Sequence, residues 1–181
     1  RGNVFWGRYD VKPIEISSDK VVVFRVRRVV DYMKTAEMLS VLVKHTSMVT
    51  GIEFFNMVTA LLSKTFDMRY CIIARLSSPG SQSATTLSCW INGSQNNNFT
   101  FNLSSGASMN VLKGYITFYP RNLKEMFPAD ELANLYNAVR YMGAPVYNPD
   151  GLVIGLIIMM DDKPMEEIPN SRYVLSLLAS R

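Results

Sequence analysis

Histidine is all but missing from this sequence, with His45 its sole representative. Hydrolytic arrangements that need a histidine base near a nucleophile therefore fail on inventory. Cysteine is almost as scarce: Cys71 and Cys89 lie 18 positions apart, far from the four closely paired donors of a closed zinc site. No glycine-rich run of the P-loop or Rossmann type is present to cradle a phosphate. Long apolar runs are absent too. The longest, Leu152 to Met160, is interrupted by Gly155 and falls well short of the ~20 residues that cross a bilayer, so no membrane insertion is expected. Finally, the 37 positions between Arg75 and Lys113 hold no charged residue at all.

What is present is ample apolar material. Of 181 residues, 48% are hydrophobic and 19% charged, enough for one large core and too apolar for disorder. The net charge of +4 comes entirely from the first 50 residues, which hold 9 basic and 5 acidic side chains, whereas the remainder is balanced. Basic residues form no cluster interleaved with groove-reading or stacking groups, so nucleic acid is not an expected partner. The three Asn-x-Ser/Thr triplets at Asn92, Asn98 and Asn102 sit in a segment so rich in Asn, Ser and Thr that composition alone supplies them. A cytoplasmic location with reduced, buried thiols is the expectation. The opening Arg-Gly-Asn-Val-Phe-Trp has no signal-peptide pattern and reads as the edge of a segment from a longer protein.

Periodicity divides the chain into three parts: 1–28, 29–50 and 51–181. Residues 3–16 and 20–28 read as a β-hairpin turning at Ser17 to Lys20, with Phe24 and Val26 opposite Arg25 and Arg27. From Val29 to Val49 the spacing predicts an amphipathic helix of about 30 Å, with Met33, Leu39, Leu42 and Val43 as the seam of a candidate homodimer. Core packing explains the same stripe equally well. Gly51 interrupts it, and Phe54, Phe55, Val58, Leu61 and Leu62 mark a second helix. Strands follow over 68–76, 85–91 and 98–103, with loops at 77–83 and 92–97. A short helix over 108–113 ends at Gly114, an extended segment covers 115–119, and a helix runs from Pro128 through Ala138. Residues 140–146 and 152–160 form a hairpin around Asn148-Pro149-Asp150-Gly151, and 171–181 reads as a final helix sharing a face with the first. The fold class is α+β, with a central antiparallel sheet flanked by the terminal helices.

These residues carry a family resemblance. Gly51-Ile52-Glu53-Phe54-Phe55, Tyr70-Cys71-Ile72-Ile73-Ala74, Phe127-Pro128-Ala129-Asp130, Tyr141-Met142-Gly143-Ala144-Pro145-Val146, Asp150-Gly151-Leu152-Val153-Ile154-Gly155 and Leu178-Ala179-Ser180-Arg181 stand in the order and spacing of a GAF domain. Residues 51–181 resemble that small-molecule-sensing module of bacterial signalling proteins. Upstream, Gly2 to Trp6, Lys12-Pro13-Ile14 and Val21 to Val29 resemble the closing strands of a PAS domain. The departures are also informative. The signature of cyclic-nucleotide binders, Asn-Lys followed after variable spacers by Phe and then Asp/Glu, cannot be assembled. Cys89 is followed by Trp90 rather than the histidine common beside a bilin-attaching cysteine. Two cysteines do not reproduce the set used by the methionine sulfoxide reductase branch.

The acidic pairs Asp130-Glu131, Asp161-Asp162 and Glu166-Glu167 are read as solvated or helix-start residues, and His45, beside Lys44, as a solvated or packing residue. No catalysis, metal or cofactor is expected. The resemblance implies a cavity between the sheet and the segment from about 103 to 140, lined by Cys89, Trp90, Phe101, Met109, Tyr115, Phe118, Phe127, Tyr136 and Tyr141, with Ser88 and the tyrosine hydroxyls as its polar groups. Core filling is the plainer reading of the same residues. The expectation is a sensory domain that passes a small-molecule or partner state through its terminal helices to an output domain of the diguanylate cyclase or histidine kinase type. A ligand-free dimerisation scaffold and a small cysteine-dependent reductase are the alternatives.

Overall fold

The computed structural model of the chain describes residues 7–16, 19–28, 51–164 and 175. The N-terminal strands β1 (Gly7–Ile16) and β2 (Asp19–Arg28) pair antiparallel from Gly7↔Arg28 to Ile16↔Asp19. The expected pairing seam at Met33, Leu39, Leu42 and Val43, together with His45 and Glu166-Glu167, lies outside the described residues.

Helix α1 (Ile52–Phe66) starts at Gly51 and buries Val58, Leu62 and Phe66 at helical spacing. It ends where Asp67 turns left-handed at φ 49°, with the Met68 N–H donating to the Ser63 carbonyl. The chain then enters strand β3 (Tyr70–Leu76) and returns through β4 (Ser83–Ile91), with β5 (Ser94–Asn96) and β6 (Thr100–Asn102) pairing along its outer edge. An excursion over 103–139 carries α2 (Ser108–Leu112), β7 (Thr117–Tyr119), α3 (Leu123–Met126) and α4 (Glu131–Leu135). The hairpin β8 (Arg140–Tyr147) and β9 (Val153–Asp161) closes the sheet. Strand order is β5-β4-β3-β9-β8-β7, antiparallel throughout, with β6 also on β4.

Alternation along these strands creates two cores on one sheet. Tyr70, Ile72, Ala74, Leu156, Ile158, Met160 and Tyr141 face the excursion. Cys71, Ile73, Ile157, Met159, Met142 and Ala144 face α1, and Leu175 joins them with no exposed surface. Both faces are covered, so the central strands read as nearly continuous apolar runs. A bulge in β4 opposite Ile73/Ala74 inserts Leu87, so that Leu87 and Ser88 both address α1 and the alternation resumes at Cys89.

Some elements differ from the sequence expectation for local reasons. β5 forms where a loop was expected, because Asn92 and Gly93, both at positive φ, make a two-residue hairpin turn. α4 stops at Leu135 rather than Ala138. Asn137 turns left-handed at φ 51°, and the Ala138 N–H closes back on the Ala133 carbonyl at 2.8 Å. The turn at Asn122 starts α3, which the pattern did not show.

Candidate functional site

The excursion is held against the sheet by buried polar contacts. Asp130, 6% exposed, caps α4 by accepting the Ala133 N–H at Oδ1 and the Ala107 N–H at Oδ2, each at 2.9 Å. One carboxylate thus joins α4 to the turn before α2. Gly106 makes room for it, since a Cβ there would lie 2.1 Å from Asp130 Oδ2. Ser105 Oγ donates to the Ala129 carbonyl at 2.8 Å, and the Asn102 N–H to Glu131 Oε2 at 2.9 Å. The Phe127-Pro128-Ala129-Asp130 motif is therefore a clamp between two parts of the excursion.

Beneath the clamp, the interior is filled by the protein's own aromatic rings. Tyr141 is 1% exposed; its hydroxyl shares a 3.0 Å hydrogen bond with Ser108 Oγ at the start of α2. Its ring lies back over Gly143, where a Cβ would come 2.4 Å from the Tyr141 hydroxyl and 2.7 Å from Val111 Cγ2. Tyr119 packs on Tyr141 at 6.1 Å and edge-on to Phe127 at 4.9 Å, and donors close the group: Asn110 Nδ2 reaches the Tyr119 hydroxyl at 2.8 Å. Tyr70 stacks on Tyr136 at 4.5 Å. Burial pushes the Tyr141 phenol well above its ordinary value, so it stays neutral and able to donate.

Of the residues expected to line a cavity, Cys89, Phe101, Phe127, Tyr136 and Tyr141 share this core. Trp90 and Phe118 do not: each is adjacent in its strand to an excursion-facing residue, Cys89 and Tyr119, so the period of two sends it to the α1 face. Ser88 also faces α1, where its Oγ meets Thr59 Oγ1 at 2.8 Å and accepts from Gln95 Nε2 at 3.3 Å. Met109 is half-buried on α2, and Tyr115 is 65% exposed. Tyr119, Tyr70 and Ser108 were missed; alternation from Phe118 and Cys71 was the signal for the tyrosines, while nothing local marked Ser108.

The two thiols sit on opposite faces of the sheet, Cys71 under α1 and Cys89 under the excursion, both free and fully buried. Burial pushes the Cys89 thiol up to about 11 despite its hydrogen bond with Tyr136, and pushes Cys71 higher still. Among the described residues no group of His, Cys, Asp and Glu is arranged to hold a metal ion.

At the opposite end of the strands from the hairpin turn, charge is buried. Asp161 accepts the Arg69 N–H at 2.9 Å and the Lys163 N–H at 3.1 Å, and pairs with Arg140 at 3.2 Å. Arg140 also donates to the Asp67 carbonyl at the end of α1. The adjacent Asp162 takes the Arg69 guanidinium at 2.7 Å, half in solvent. Burial raises the Asp161 carboxyl, but the Arg69 N–H and the Arg140 charge outweigh it and hold the group below its ordinary value. These acidic residues are structural fastenings between α1, β3 and β9.

Comparison with solved structures gives the architecture a name. The GAF domain of NlH2 from A. aeolicus in an inactive state superposes with a TM-score of 0.60 at 16% identity, over 84% of this chain and 92% of that one. The GAF domain of a phosphoenolpyruvate-protein phosphotransferase from Coxiella burnetii gives 0.64 at 9%, over 81% and 89%. This chain has the GAF fold. A free methionine-R-sulfoxide reductase from Neisseria meningitidis, solved with its substrate, shares it at 0.62 and 11% identity, over 83% and 84%. No family model matches the sequence, and no curated protein does. The GAF fold accounts for the central antiparallel sheet with α1 on one face and the excursion on the other. No helix among the described residues is long and apolar enough to cross a membrane.

Proposed function

We propose that this chain is a regulatory sensory domain of a signalling protein. It reads a small molecule or a partner on the excursion side of its sheet and relays that state through its helices to an output domain of the diguanylate cyclase or histidine kinase type. The observation that carries this reading is the shared strand set: β3, β8 and β9 supply alternate residues to a polar-pinned excursion core and to the core under α1 and Leu175. A shift of α2 over Tyr141 and Gly143 moves strands whose other face holds α1, and two packings of that face are what an effector can bias by its differential affinity. Fully buried thiols on opposite faces support a non-catalytic role. We further propose a homodimer through the connecting helix, with Met33, Leu39, Leu42 and Val43 at its seam.

The experiment is a metabolite panel screened by ligand-detected NMR, followed by amide mapping of any binder on labelled protein. A binder that perturbs both Ser108 to Val111 and Val58 to Leu62 supports the relay. A panel without binders favours the second reading, a ligand-free dimerisation scaffold, for which the aromatic filling around Tyr141 is the specific support. The double substitution Leu39→Glu plus Leu42→Glu separates the dimer from both, because it converts a concentration-dependent dimer to monomer in analytical ultracentrifugation.

A further inference from the structure

A cleft of about 460 Å³ opens at the hairpin-turn end of the sheet, lined by Pro79 and Gly80 of the β3–β4 turn, Leu112 to Gly114 at the end of α2, Tyr147, and Gly151 to Val153 of the β8–β9 hairpin. That volume lies within the range of small-molecule sites. Its wall is closed at one point by the Tyr147 hydroxyl, which donates to the Gly114 carbonyl at 2.9 Å. Gly114, at φ 89°, holds the backbone turn that brings this carbonyl there, and a Cβ would sit 3.1 Å from the same hydroxyl.

The cleft combines apolar side chains with charge of one sign. Leu112 and Val153 form an apolar floor continuous with the excursion core, and Leu152 stands 51% exposed at the rim. Among the described residues Lys113 is the one charged side chain lining the cleft, and it is the residue that ends the 37-position uncharged run. Among the described residues it has no ion-pair or hydrogen-bond partner. Asp150, in the turn of the β8–β9 hairpin, accepts from Asn148 Nδ2 within that turn at 3.3 Å.

We propose that this cleft binds a small organic monoanion, a carboxylate on an apolar body, with Lys113 as its counter-ion and Leu112, Leu152 and Val153 against its apolar part. The proposal rests on the sensory reading and gives it a site and a ligand class. The interior beneath the excursion is filled by Tyr141, Tyr119 and Phe127, whereas this cleft is open. It is also connected to that interior: α2 presents Leu112 and, at its end, Lys113 to the cleft, and Ser108 and Val111 to Tyr141 and Gly143. A ligand that draws the end of α2 toward the hairpin alters the Ser108–Tyr141 contact through one short helix.

The test is amide mapping on the full chain with matched probes, phenylacetate against phenylacetamide and hexanoate against hexanamide, at concentrations up to the order of 10 mM. Expected are saturable shifts at Leu112 to Gly114 and Gly151 to Val153 for the two carboxylates only. Lys113→Gln should weaken them about three- to fivefold, as removal of one solvent-facing charge contact does, and Lys113→Glu should abolish them. Both substitutions are on the surface, and unchanged thermal unfolding verifies the fold. Equal shifts with the amides, or undiminished carboxylate binding by Lys113→Gln, overturn the proposal. Shifts confined to Ser108, Val111 and Tyr141 overturn the cleft assignment but leave the sensory reading standing; silence of these probes together with silence of the metabolite panel overturns the cleft proposal and the small-molecule half of the sensory reading.

Discussion

Asp161 ties buried charge to the stability of the fold. It is 3% exposed and faces Arg140, itself 4% exposed, so removing the carboxylate strands a buried guanidinium. Asp161→Asn should cost about 3 kcal/mol in urea unfolding at neutral pH. Because the folded carboxyl lies below its ordinary value of 3.8, its contribution is complete above that value and is lost as pH falls through the folded value. The gap between wild type and Asp161→Asn should therefore be constant from pH 5 to 7 and close below about pH 4. Cys71 and Cys89 behave in the opposite sense. Burial keeps both protonated, so neither thiol should react with a chromogenic disulfide reagent at pH 8 in the native protein, and both should react in denaturant. Rapid native labelling of either thiol would place it outside the cores described.

Among the elements, the excursion is the one whose integrity hangs on few groups. Asp130→Ala removes the α4 cap and the Ala107 contact together, and should destabilise by about 2 kcal/mol, near the upper end for a cap because two donors are left without it. Gly143→Ala forces a methyl against the Tyr141 hydroxyl and Val111, for about 1–3 kcal/mol of overpacking, with amide shifts concentrated on α2. The long elements were legible because their apolar spacing is regular: α1, β3, β4, β8 and β9 follow the pattern to within a few residues. The short ones were not. α3, β5 and the early stop of α4 depend on single asparagines adopting positive φ, at Asn122, Asn92 and Asn137, which apolar periodicity does not encode. For the site, choosing aromatic and soft residues from the covering segments puts Trp90 beside Cys89, although adjacent strand residues face opposite ways. The bulge at Leu87 then moved Ser88 to the helix face, and no residue in the sequence announces it.

The whole molecule carries its charge asymmetry as architecture. The basic excess lies in residues 1–50, ahead of the GAF fold, and the balanced remainder builds one sheet between two covered faces. The uncharged stretch 76–112 supplies β4, β5, β6 and α2, which form the sheet edge and the first half of the excursion. Any ligand met there finds hydroxyls, amides and rings, until Lys113 at the cleft. The central claim is that events on the excursion side reach α1 across shared strands. It is tested most directly by amide chemical-shift mapping of Tyr141→Phe, which removes only the hydroxyl bound to Ser108. The account predicts shifts on α2 and, through β8 and β9, on Val58 to Leu62 of α1. Shifts confined to the excursion, with α1 unmoved, would contradict it.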